Sequence, residues 1–452
     1  MRFVATGLVL LLGTGAAAAA DCAASNAPPD VVIAPDDRSA TIFPDGFIVF
    51  GGDASTCAVN VAVPIPDGYY GVYKIDSRGF VALATGESAT YSVTYDGDTQ
   101  SQVVDGEYLE DAFYTHYFGT GLGPIASFDA EFGLAVVGDG AAGAELDSID
   151  VLAGFTTWDA QVASVAELSL ARTALVTHLN ATGGLLVGDN QAMEREDSVG
   201  VFGAVGSHII GGTAHFDLGG GFLLDGGAAL FNQSVGGVAS NGALLGLKAS
   251  YLQPDDGASL RIIGSAGLRL APGMNLTFTR HYSDGSPEGA TVLVDTVGQL
   301  FGFEAEAGVL VRPTPASELV FSAAVSRTWL GVDGYEEMIG GSNLFPVTTA
   351  TTTGTFDTIR LRAAWTTELV EDLDLTLHGA VGQSVAHDDL TADVAFVGDV
   401  QAGAVSEFFA EYGARLGWTL SPATTVSVFA LGSSGSESGT HLQAGAGASM
   451  KF

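Results

Sequence analysis

The charges of the carboxy-terminal half fall at regular intervals. Glu304, Glu306, Glu407 and Glu411 alternate with apolar neighbours along extended segments, and so do Arg261, Arg269, Arg360, Arg362 and Arg415. Side chains of a strand point alternately to opposite faces, so each charge set projects from one face only. Carboxylates and guanidiniums gathered on such faces can do two things. They can pair and tie neighbouring strands together, or they can line a pore and select its ions. Arg172, on a separate helical stretch, adds a cation that an inward Glu could receive. Ion pairing that braces strands and docks the helix is the preferred reading.

Catalytic patterns are sparse. The chain has no His-Glu-x-x-His, phosphate loop or Gly-x-Ser-x-Gly elbow. Gly86-Glu87-Ser88-Ala89-Thr90 approaches the elbow and reads as a polar turn. His116, in Tyr114-Thr115-His116-Tyr117, could act as a general base, but a histidine among aromatics on a strand is expected to be structural. Asp96, Asp98, Asp105, Glu107, Glu110 and Asp111 could offer oxygens to calcium, yet their spacing is not that of a calcium loop. The expectation is no enzyme, no cofactor and no metal. Only two cysteines occur, Cys22 and Cys57, close to the start. In an oxidising compartment such an isolated pair is expected to bridge and staple a small domain.

Composition narrows the class. The net charge is -36, from 16 basic and 52 acidic residues, and the only lysines are Lys74, Lys248 and Lys451. Such a surface repels nucleic acid, which excludes that partner. Met1-Arg2-Phe3, the apolar run 4–12 and the small residues 16–20 read as a secretory signal peptide over 1–20, with cleavage after Ala20. Asp21 stands before Cys22 where a lipoprotein signal would need a small residue. No later stretch offers about twenty uninterrupted apolar residues, the length of a membrane helix, although the chain is apolar and rich in glycine.

A transmembrane barrel reconciles these facts, because its apolar residues come one in two. From 199 to the end the hydrophobic period is two. Leu268 and Leu270 flank Arg269; Phe303 and Ala305 flank Glu304; Leu361 and Ala363 flank Arg362; Leu377 follows Thr376. The last segment runs His441-Leu442-Gln443-Ala444-Gly445-Ala446-Gly447-Ala448-Ser449-Met450-Lys451-Phe452, one apolar wall and one polar wall closed by an aromatic residue. Short turns at 218–221, 253–258, 312–317, 371–372 and 421–424 mark one end, and longer connections at 331–355 and 388–405 the other. About twelve strands fit between them. The segment 259–283, with Pro272-Gly273 inside it, is either one bulged strand or two.

Upstream, residues 21–155 carry β-like runs at 40–50, 58–64, 69–75, 80–84 and 89–95, separated by turns such as Pro66-Asp67-Gly68 and Asp96-Gly97-Asp98. The small and acidic stretch 138–147 reads as a linker. Val162, Val165, Ala166, Leu168, Leu175 and Leu179 recur near helical spacing and predict a helix over 158–180, which Asn180, Gly183 and Gly184 would stop. The fold class is therefore mostly β: a transmembrane antiparallel barrel of about twelve strands with one lumenal helix, after a small β-rich amino-terminal domain. The predicted divisions are 1–20, 21–155, 156–198 (helix and connector) and 199–452.

One helix followed by such a barrel, ending in Phe452, resembles the translocator domain of autotransporters. The resemblance covers about 158–452. It implies a barrel anchored in the outer membrane of a Gram-negative cell, with the helix threading the pore after export of a passenger. It also implies outer-membrane lipids and the barrel-assembly machinery as partners, and a monomer. Residues 21–155 would be an unusually short passenger without β-helix repeats. Some members cut themselves between two asparagines inside the barrel. Here Asn180 precedes Ala181 and Asn190 precedes Gln191, so that route is not expected. The alternative is an outer-membrane pore for small solutes with a periplasmic or plug domain; a helix inside the lumen favours the first reading.

Overall fold

The computed structural model describes residues 19–22, 30–44, 46–188, 196–255 and 259–452. Most of the predicted signal peptide, and the connector 189–195 with Asn190, lie outside the described residues. The chain divides into two compact units. One holds the described residues up to Trp158 together with Ser283–Glu288, and the other holds Asp159–Tyr282 and Gly289–Phe452.

The first unit is built of two antiparallel sheets. Its strands are β1 (Ala19–Cys22), β2 (Asp30–Ile33), β3 (Ser39–Phe43), β4 (Ile48–Phe50), β5 (Ala54–Val61), β6 (Tyr70–Leu83), β7 (Ser88–Tyr95), β8 (Asp98–Asp105), β9 (Tyr108–Leu122), β10 (Phe128–Val137) and β11 (Gly143–Thr156). One sheet runs β1-β5-β10-β7-β8. The other runs β2-β3-β11-β6-β9, with β4 also on β11. Every second residue of β7 and β10 is buried. Tyr73, Phe128, Phe132, Ile75 and Ile149, from both sheets, meet in one core, which is how two half-apolar faces escape water.

Two sequence expectations change here. The runs 69–75 and 80–84 are one strand, β6. Its Gly79 passes close to β11, where a Cβ would fall 1.9 Å from the Glu145 carbonyl oxygen. The stretch 138–147 is not a linker, since β11 starts at Gly143 and lies between β3 and β6. Ala142 and Ala144 are small but buried, like Leu146 after them, so the alanines disguised a period-two core face by low hydrophobic bulk. The Asp96-Gly97 turn joins β7 to β8 with both residues at positive φ, the geometry a tight hairpin requires.

The second unit takes in α1 (Trp158–Leu186) from its second residue onward and continues as a barrel. Its strands are β12 (Ser198–Val205), β13 (His208–Gly219), β14 (Phe222–Val235), β15 (Val238–Leu252), β16 (Leu260–Tyr282), β17 (Ala290–Thr314) and β18 (Ser317–Val332). After the short β19 (Tyr335–Glu336) and β20 (Val347–Thr349) come β21 (Thr352–Val370) and β22 (Leu373–Ala386). The short β23 (Leu390–Val394) and β24 (Gly398–Ala402) follow, then β25 (Ser406–Ser421), β26 (Thr424–Gly435) and β27 (Gly439–Lys451). Twelve of these form a closed ring, sealed where β12 pairs with β27 from Ser198↔Lys451 to Val205↔Ala444. Closure leaves no open edge. The segment around Pro272-Gly273 is one strand with a register shift between Ala271 and Met274. The two long connections fold back as a separate sheet, β19-β20-β23-β24.

The outer wall is apolar. Leu361, Phe303, Val325, Leu377 and Met450 are exposed, whereas Thr376, Glu304, Arg360 and Arg269 are buried. Two aromatic pairs stand at the end that holds the carboxy terminus, Phe216 against Phe452 and Phe222 against Tyr251. An apolar band edged by aromatics is the surface a bilayer requires. The lumen is not polar throughout: Leu223, Leu252, Ile263, Leu310, Val320 and Ala364 form a buried inward cluster.

Candidate functional site: the helix-filled lumen

Helix α1 occupies the lumen, and its buried residues from Ala171 to Asn180 are consecutive. A helix covered on all sides needs no apolar stripe. It runs six residues past the predicted stop at 180. Gly183 does not end it; a Cβ there would lie 2.6 Å from Arg269 Cδ and Nε. The glycine lets the helix pass the wall, a reason that exists only once the barrel has formed. Gly236 faces Ala174, and Gly227 and Gly246 face Leu186, with the same close fit.

Three layers of polar contacts hold the helix and brace the wall. At the end away from the carboxy terminus stands Arg280, which is fully buried. Its Nε and Nη2 donate to Glu337 at 2.9 and 2.5 Å, and Nη2 also donates to the Phe345 carbonyl at 2.9 Å. Its Nη1 reaches Gln161 and Ser164 of the helix, each at 3.4 Å. The guanidinium lies 4.4 Å from the Tyr282 ring centre. Glu337 further accepts from the Val347 amide and from Asn343. This clamp fastens the first turns of α1 to the connection between β18 and β21.

In the middle layer, Arg269 donates to Glu304 at 3.1 Å and to Asn180 Oδ1 of the helix at 3.4 Å. Arg360 bridges Glu304 at 3.2 Å and Glu411 at 3.3 Å. Asn180 also meets Thr328, and Thr177 meets Ser384. Nearer the carboxy-terminal end, Glu306 gathers Arg362 at 3.5 Å and Lys248 at 3.9 Å, with the hydroxyls of Ser265 and Ser322. Buried charges persist only when paired and hydrogen-bonded, and these are.

The predicted charge set therefore divides. Glu304, Glu306, Glu411, Arg269, Arg360 and Arg362 come together. Arg261 instead donates to the Gln253 carbonyl at 2.5 Å. Arg415 borders a small cavity with Leu185 of the helix. Glu407 is corrected from an arginine partner to a loop anchor: it is wholly buried and accepts from the Ser438 amide at 2.9 Å. Arg172 does not reach a glutamate either. It donates to Thr352 at 2.8 Å and lies 5.9 Å from the Phe278 ring centre, because it sits near the first residue of β21 and away from the Glu304 layer. Sequence reasoning missed Arg280, Glu337, Asn180 and Lys248. Arg280 and Lys248 do fall on the inward period of their strands, a usable signal. Phe452 follows the last residue of β27, and its amide donates to the Asp197 carbonyl at 3.3 Å.

A cavity of about 60 Å³ lies beside the helix, lined by His178, His378, His441, Arg360, Arg362 and Glu411 among others. His178 meets Ser207 at 3.3 Å, and its ring centre is 5.5 Å from that of His441. Among the described residues, no three His, Cys, Asp or Glu side chains are grouped to hold a metal.

The candidates in the first unit are structural in their surroundings. Ser88 opens β7 beside the turn at Gly86. His116 is buried beside Tyr91, with ring centres 6.1 Å apart, and burial lowers its pKa. The acidic cluster is strung along β8 and β9 and the turns beside them. The β1–β5 register sets Cys22 directly opposite Cys57.

Searches of protein families and of curated proteins give no match for this chain. Solved structures do resemble it. The translocator domain of the autotransporter NalP from Neisseria meningitidis is 14% identical, covers 62% of this chain and 98% of its own, and gives a TM-score of 0.40. The transport unit of the autotransporter AIDA-I from Escherichia coli is 12% identical over 62% of this chain and 98% of its own, with a TM-score of 0.36. The NanC porin is 11% identical over 57% of this chain and all of its own, with a TM-score of 0.32.

Proposed function

We propose that this chain is an outer-membrane barrel of the autotransporter kind, which carries its own amino-terminal domain out of the cell and anchors it there. The observation that carries this reading is α1 itself. A helix of 29 residues joins the amino-terminal segment to the barrel through the lumen and is fastened to the wall by Arg280, Asn180 and Thr177. A helix that merely packed beside a solute pore would leave the lumen free.

The helix enters at the end opposite Phe452, where Gln161 and Ser164 meet Arg280. An even strand number keeps both ends of the barrel domain on one side, and short turns mark the periplasmic side. The preceding domain would then be delivered outward, with its signal peptide removed on the way. Membrane lipid is the partner of the apolar wall, and the work is export and anchoring without catalysis.

Deleting residues 159–186 tests this reading. The deleted protein should fold, migrate differently on gels before and after boiling, and show much larger single-channel conductance than the full chain in planar bilayers. An equal conductance from both folded proteins would support the solute-pore alternative.

A further inference from the structure

The outer face of the sheet β2-β3-β11-β6-β9 carries an apolar patch that export does not use. The register aligns Leu109, Ala82, Gly143 and Phe50 in one row across β9, β6, β11 and β4. The next row is Asp111, Phe80, Glu145 and Ile48. One step further, Phe113 faces Arg78, whose guanidinium lies 5.2 Å from the ring centre. Neighbouring strands lie about 4.8 Å apart, so these rows are contiguous. Leu109, Phe113 and Phe50 are 70%, 65% and 57% exposed. The rest of this face shows how the sheet meets water. There Thr41 donates to Asp150 and Thr115 to Asp76, each at 2.6 Å. A cluster of exposed aromatics beside that polar half marks a contact surface.

Two carboxylates stand inside the patch, and they define what fits. Glu145 lies between Phe80 and Ile48 in the register, and Asp111 lies beside Phe80. Burial first, and then the neighbouring Asp147, raise the Glu145 pKa, and a cation placed beside it favours the charged carboxylate. A second copy of a chain with net charge -36 brings a net negative charge, and so does an anionic lipid surface.

We propose that this face docks a cationic amphipathic protein segment. Its apolar side chains cover Phe50, Phe80, Leu109 and Phe113, and its lysines or arginines meet Asp111 and Glu145. This goes beyond the export reading and holds on whichever side of the membrane the domain stands.

The test uses the full-length protein in phosphatidylcholine nanodiscs, with empty nanodiscs as blank. The probe is a fluorescent peptide of alternating leucine and lysine, followed by anisotropy, with a leucine–glutamate peptide of equal length as control. The leucine–lysine peptide should bind. The pair Leu109→Ser with Phe113→Ser should weaken it at least tenfold, and Glu145→Gln severalfold with a flatter salt dependence. Phe50→Ser, on a different strand, serves if the double variant fails to fold. Equal binding by wild type and variants, or equal binding of the acidic peptide, would overturn the proposal. So would a wild-type dimer that the double variant dissolves in sedimentation, since the occupant would then be a second copy.

Discussion

Arg280 and Glu337 face each other through two hydrogen bonds, at 2.9 and 2.5 Å, and neither side chain is exposed to solvent by more than 1%. One residue stands two positions before the end of barrel strand β16, and the other lies in a long connection 57 positions away. Together they close over the first turns of α1.

Removing one partner of a buried pair strands the other charge, at a cost of about 3–5 kcal/mol. We expect Glu337→Ala to lower the temperature at which the folded form converts on gels, and to let proteases reach α1. Arg280→Met combined with Glu337→Leu should lose much less, because no charge is left buried. Equal losses in the single and double variants would show that the clamp does not act as a pair.

The face assignments of the strands give a second expectation. Leu361 is outward near the middle of β21 and exposed, between the inward Arg360 and Arg362. Leu361→Arg should cost about 2–4 kcal/mol at the bilayer midplane and reduce membrane-assembled protein. Ser433 lines the lumenal cavity, and Ser433→Arg should assemble far better. Quantifying heat-modifiable protein in outer-membrane fractions separates the two; the reverse order would mean that the faces are exchanged.

Acid sensitivity of the amino-terminal domain should follow His116. Burial holds its imidazole below the ordinary pKa, so as pH falls the unfolded chain takes up the proton first. Stability is then full above about pH 6.5 and declines as pH drops from there toward the folded value. Hydrogen exchange of the domain within the full-length protein, from pH 7.5 to 5.5, should show this decline. His116→Gln should flatten it, and an unchanged slope would assign the effect to other groups.

The strand register predicts a bridge between Cys22 and Cys57. Such a bridge restricts the unfolded chain and contributes about 3–4 kcal/mol. Mature protein denatured without reductant should bind no thiol reagent, and Cys57→Ser should unfold the domain more easily. Two reactive thiols would rule the bridge out.

Much of this architecture is local in origin and therefore legible in the chain. Strands such as β17 and β21 declare themselves by alternation, and their ends by turns such as Glu371-Asp372. Glu304 between Phe303 and Ala305 announced an inward carboxylate. What escaped depends on partners distant in sequence. Gly183 resembles a helix stop until Arg269 is set against it. Glu337 sits in a loop without period, and its role exists only because Arg280 reaches it. The depth of Arg172 was not readable, since period two gives the face of a strand and says nothing about which layer a helix residue meets. The stretch 138–147 hid a central strand because Ala142 and Ala144 bury little surface.

The central claim is that the barrel holds its amino-terminal domain outside the cell. Ser101 is exposed on β8, so Ser101→Cys offers a reporter beside the two native cysteines. Intact cells expressing this variant should react with a membrane-impermeant maleimide, while wild-type cells do not. Labelling that appears only after the outer membrane is permeabilised would place the domain in the periplasm and contradict the account.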